Sequence, residues 1–195
     1  MAITFPLSIP TSICIESIQL RAVNAVAISE SPFTFRQQVV AHQGQRWEAS
    51  VSVGVRRRDL AAPWKAFLTA LNGPRGTFLL GDPDYATPQG TVSACTLTGS
   101  AGDETATVTM TGSLKAGDYI QLGSGSSARL HQVLQDQSGS GSIEIWPSLR
   151  DDYSSATVTF NSPKGVFRLA SNVSSWSINN VSTYSISFEA VEALV

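Results

Sequence analysis

The segment Gly165-Val166-Phe167-Arg168-Leu169 repeats the Gly-x-Phe-x-Leu pattern of Gly76-Thr77-Phe78-Leu79-Leu80, and the stretch between them differs in texture from both flanks. From about Pro88 the chain alternates Thr, Ser and Gly with Val, Leu and Met, and this texture ends at 161–165. Alternation with a period of two places successive side chains on opposite faces of a strand. Two matching strands that bracket a foreign segment read as neighbours in one sheet, at the two ends of an insertion. The chain is therefore expected to be mainly β. One β-domain with a single helix, residues 1–87 and 163–195, is interrupted by a small β-barrel, residues 88–162. At 195 residues there is room for one domain carrying an inserted module, and two full-sized domains would need more.

Inside the insertion, short strands are expected at 92–97, 105–110, 119–122, 128–134, 142–146 and 157–160, with turns at the Gly- and Ser-rich segments between them. Many short strands at this spacing are the pattern of a small barrel or sandwich. Outside it, 13–28 alternates apolar with polar residues until the period slips near Ala25, which implies a half-buried strand or hairpin with a turn or bulge there. Segments 33–40 and 47–57 read as an antiparallel hairpin about Gln43-Gly44-Gln45, with Trp47, Ala49, Val51, Val53 and Val55 inward. A helix is expected from Asp59 as N-cap to about Leu71, stopped by Asn72-Gly73-Pro74. Its apolar stripe is Leu60, Trp64, Phe67, Leu68 and Leu71. A closing hairpin joins 176–178 to 183–191 about Asn179-Asn180.

Only 14% of residues are charged, against roughly 25% in an average soluble protein, and the net charge is −2. This balance argues against a dedicated nucleic-acid binder and leaves a local basic ring open. Cys14 and Cys95 are too few and too far apart for a disulfide framework or a metal knuckle, and both read as small buried hydrophobes. No basic segment followed by an apolar run opens the chain, and no stretch approaches membrane-span length, so synthesis in a cytoplasm and no membrane segment are expected.

His42 and His131 lie in different units, read as surface or turn residues, and offer little to a triad or a metal. Asp82 and Asp84, and likewise Asp151 and Asp152, fit turn chemistry better than a cation site. No phosphate loop, dinucleotide fingerprint, nucleophile elbow or zinc spacing occurs, so no enzyme, no catalytic residue, no cofactor and no metal are expected. Arg56, Arg57 and Arg58 are the densest charge in the chain. They read either as a solvated strand end or, in a ring-shaped assembly, as a subunit interface or a lumen that DNA crosses. Most aromatics belong to the core. Trp146 stands near the end of a barrel strand, and with Tyr119 and Tyr153 it would supply glycan contacts if the insertion were a carbohydrate-binding module.

The phrases WEASVSV (47–53), WKAFLTALNG (64–73), GTFLLGDP (76–83), LKAGDYIQLG (114–123), ARLHQV (128–133), IWPSLR (145–150) and FEAVEAL (188–194), taken in this order, resemble the distal tail proteins of bacteriophages with long flexible tails (siphoviruses). The resemblance covers nearly the whole chain and rests on structural phrases, with no catalytic motif among them. It implies a β-sandwich-like belt domain that closes a homo-hexameric ring at the tail tip, or baseplate, of the virion. That ring joins the tail tube protein to hub and fibre or receptor-binding proteins, and DNA passes through it transiently and without sequence specificity. The insertion would be an OB-like barrel on the outside of the ring. Such a protein is made in the host bacterial cytoplasm and resides in the virion.

Overall fold

The computed structural model describes residues 3–11, 15–179 and 183–194. The first unit contains β1 (Leu7–Ser8), the long strands β2 (Ile15–Glu30) and β3 (Gln37–Arg57), the helix α1 (Arg58–Leu71) and β4 (Phe78–Leu80). Eight short strands follow: β5 (Ala94–Gly99), β6 (Thr105–Thr111), β7 (Ser113–Leu114), β8 (Tyr119–Leu122), β9 (Arg129–Val133), β10 (Gln137–Ser138), β11 (Gly141–Trp146) and β12 (Tyr153–Thr159). The chain closes with β13 (Gly165–Leu169), β14 (Trp176–Ile178) and β15 (Thr183–Glu192).

The first and last groups make one sheet in the order β1-β4-β13-β15-β3-β2, with β14 paired to β15. The two Gly-x-Phe-x-Leu strands are adjacent and antiparallel, with Phe78 opposite Phe167 and Leu80 opposite Gly165. Helix α1 covers the sheet through the expected stripe: Trp64, Phe67, Leu68 and Leu71 are buried, while Leu60 is half-buried. The rings interlock edge to face, with Phe67 5.5 Å from Phe78 and 5.9 Å from Trp64, a geometry aromatic pairs prefer. The helix begins one residue before Asp59. Arg57 is its N-cap, no side chain caps it, and Asp59 sits instead in the first turn, where its charge complements the helix dipole. Asn72 ends it in the left-handed conformation, its N–H donating to the Thr69 carbonyl.

Between β4 and β13 the chain closes a six-stranded barrel, β11-β6-β5-β12-β8-β9, antiparallel at every pairing. Leu97, Val108, Ile120, Leu122, Val133 and Ile143 fill its interior, and closure leaves no free edge. The barrel has one strand more than the five of the partly open OB-fold. Cys95 belongs to this core as a free thiol, with burial pushing its pKa up to about 11; Cys14 lies outside the described residues.

The hairpin expected between 33–40 and 47–57 is not formed. Residues 37–40 and 47–57 belong to the single strand β3, which pairs along its length with β2, and 33–36 fall in the hairpin turn at 31–36. Gln43-Gly44-Gln45 falls at a register shift opposite Asn24 and Val26, so the signal of a turn marks a bulge. A Cβ on Gly44 would stand 2.9 Å from the Ala25 Cβ, so glycine permits the close approach there.

Candidate assembly surface

The bulge divides the β2–β3 hairpin into two halves. On the near side, Ala49, Val51 and Val53 are fully buried and Ile18 and Leu20 pack against them. On the far side, Val26, Ile28, Val39 and Val40 are all exposed, and Ile28 reaches 64%. Ile28 lies opposite Val39, and Val26 opposite Ala41, so Val26, Ile28 and Val39 share one face of the arm, while Val40, opposite Ala27, is on the other. The turn at the tip exposes Phe33 to 92% and Phe35 to 74%. Exposed apolar surface concentrated in this way marks an interaction site. Strand β2 is also the last strand of the sheet, so its outer row of backbone groups is open to pairing.

The root of this arm is held by the barrel. The Trp146 indole N–H donates to Asn24 Oδ1 at 2.7 Å. The Ser148 N–H donates to Gln45 Oε1 at 2.7 Å, Gln45 Nε2 donates to Glu104 Oε1 at 3.0 Å, and Arg150 donates to the Gln45 carbonyl. Beneath these contacts Trp47 is buried between the units: its indole N–H donates to the Leu130 carbonyl, and its ring meets Trp146 edge to face at 4.5 Å and Tyr119 at 5.9 Å. The buried Glu192 carboxylate accepts from the Trp47 backbone N–H at 3.0 Å and from Arg150 at 3.2 Å. The barrel therefore shares a core with the sheet through Trp47, Tyr119, Leu130 and Trp146.

Arg57 closes β3 opposite Thr183, with Arg56 opposite Tyr184 in the ladder. The side chains of Arg57 and Arg58 are exposed. The aromatic residues expected to contact glycan do not form an open platform. Trp146 and Tyr119 pack around Trp47 at the seam, and Tyr153 packs against the barrel core with its hydroxyl buried. Burial raises the phenol pKa of both tyrosines, with Asp82 adding to it at Tyr119 and Asp151 at Tyr153.

Asp82 Oδ1 accepts the Asp84 N–H at 3.0 Å, a turn contact, whereas Asp152 Oδ1 accepts the Ala101 N–H at 2.9 Å and ties two loops of the barrel together. Among the described residues no group of His, Cys, Asp and Glu side chains is arranged to hold a metal ion. His42 is exposed on the arm, as a surface histidine should be. His131, by contrast, is fully buried, with Nδ1 2.7 Å from the Pro147 carbonyl. Burial, with Arg150 and Arg129 adding repulsion, pushes its pKa down to about 4.

Two structural anchors had no sequence signal beyond ordinary turn residues. Asp118, in the turn before β8, is fully buried and accepts hydrogen bonds from the Tyr85 hydroxyl and from the N–H groups of Gln89, Gly90 and Lys115. It pins the segment that enters the barrel. The other is the Arg150–Glu192 pair, which joins residues far apart in sequence. No protein-family model matches the chain, and no curated protein is similar enough in sequence to count as a relative.

Proposed function

We propose that this chain is a structural subunit of a viral tail tip, several copies of which close into a ring that joins the tail tube to hub and fibre proteins and admits DNA through its centre. The observation that carries the reading is the arm: a rooted two-stranded projection with apolar side chains in solvent and an open strand edge. Such a surface on a monomer invites aggregation, and pairing with further copies both covers it and sets a defined geometry. The low charge of the chain is consistent with a surface largely covered by partners. No observation of the site favours carbohydrate binding, because the rings that would stack on sugar pack against protein. The six-fold count comes from the family resemblance. Exposed Arg57 and Arg58 at the end of β3 are the groups that would face DNA or a neighbouring subunit, attracting phosphate by charge density without sequence preference.

The test is the mass and shape of the purified full chain at micromolar concentration, by native mass spectrometry and negative-stain microscopy. The expected result is a closed ring, hexameric, with a central opening. A chain that stays monomeric at all concentrations and in the presence of tail tube protein contradicts the proposal.

A further inference from the structure

Resting on the ring reading above, we infer that the arm tip of one copy seats in a specific cavity of the next copy, at the opposite end of β2. The tip is a closed turn: the Ser31 N–H donates to the Arg36 carbonyl at 3.0 Å and the Phe35 N–H to the Ser31 carbonyl at 2.9 Å. Within it Phe35 holds a left-handed backbone, φ 53°. That conformation is costly for a bulky residue, and strain of this kind concentrates where a side chain is being presented. The turn thus holds Phe33 and Phe35 out in solvent, with the exposed Arg36 beside them.

The same chain carries a surface of matching character. A cavity of about 810 Å³ opens where the two crossings to the barrel pass beside β1, walled by Ile9, Ile15, Leu79 and Tyr85. Asp82 and Asp84 stand on its lining together with Lys164. Its volume falls in the roughly 300–1,000 Å³ range of pockets that enclose compact apolar ligands, and the lining carries one more acid than base for Arg36 to meet. A chain cannot fill its own cavity with its own tip. Ile15, in the cavity wall, begins β2, and the tip follows the other end of this 16-residue strand, roughly 50 Å away at extended-strand spacing. The contact therefore runs from one copy to the next, head to tail. Contacts of this type generate rings when the rotation closes. Seating there also touches both crossings to the barrel.

Two measurements on the full-length protein test this. In the first, with Cys14→Ser and Cys95→Ala in every chain, chains carrying Phe35→Cys are mixed with chains carrying Pro83→Cys and mildly oxidised. A disulfide-linked dimer is expected in the mixture and in neither variant alone. Assembly without that cross-link overturns the docking site and leaves the ring reading standing. A dimer from Phe35→Cys alone means that arms pair with arms and overturns it also. A chain monomeric under every condition removes the ring reading and this inference with it. In the second, Arg36→Asp is expected to raise the concentration needed for assembly by about tenfold or more, as loss of an interface charge pair does. Adding Asp84→Arg to the same chain should restore assembly. Absence of rescue, with far-ultraviolet circular dichroism unchanged, overturns the charge match.

Discussion

The two halves of the β2–β3 hairpin are built from the same kinds of residue and meet opposite environments. On the near side of the bulge, Val51 and Val53 are buried in the core that α1 joins; on the far side, Val39 and Val40 stand in water. The difference lies in what covers each half. The near half has a helix on its face and a barrel bracing its end at Asn24 and Gln45, while the far half has no cover from the described residues of its own chain. The lesson is that alternation announces a strand with an apolar face and does not say whether the cover comes from the same molecule.

The largest expected effect belongs to the seam that supports the near half. Glu192→Ala strips the partner from Arg150 and from the Trp47 N–H, and removing one member of a buried pair costs about 3–5 kcal/mol. Urea unfolding should show the loss, and an effect below about 1 kcal/mol would mean that the seam is not a locked contact. Val51→Ala should cost about 2 kcal/mol, as a buried truncation in a close-packed core does, read in the same unfolding experiment.

The seam should also respond to acid. An unfolded histidine takes a proton near pH 6.5, and folded His131 refuses it until about pH 4. Below pH 6.5 the unfolded state binds the extra proton, so stability falls as pH drops from about 6.5 toward 4 and is insensitive to this group above that window. The loss is on the order of 1 kcal/mol per pH unit at most. Denaturation midpoints at pH 7.5 and pH 5 should differ in the native chain and differ less in His131→Gln. Equal acid sensitivity in both assigns the effect to other groups. The smallest effect on stability is expected on the arm. Val39→Ala should change unfolding free energy by no more than about 0.5 kcal/mol, and a core-sized loss would show that the arm is covered within its own chain.

Sequence patterns located the barrel, the helix stripe and the pairing of the two Gly-x-Phe-x-Leu strands, because each depends on local periodicity or on a repeated phrase. The exposed arm was not legible: 25–28 and 39–41 are short continuous apolar runs, which read as strand covered on both faces. Gln43-Gly44-Gln45 carries the same residues for a bulge as for a turn, and only the partner strand decides between them. The seam was hidden for a different reason. Trp47, Trp146 and Glu192 are brought together by topology across much of the chain, so neither the burial of His131 nor the packing of Trp146 and Tyr119 away from an open glycan platform follows from local sequence. The deep burial of Asp118 likewise arises from the segment that folds over it.

The central claim is that the far half of the hairpin is an interface between copies. Sedimentation of the full chain at micromolar concentration beside the Ile28→Ser, Val39→Ser variant tests it most directly, because both substitutions lie on the exposed arm face and should leave the fold intact. The account predicts a ring-sized species for the native chain and a folded monomer for the variant. Identical sedimentation of the two would contradict it.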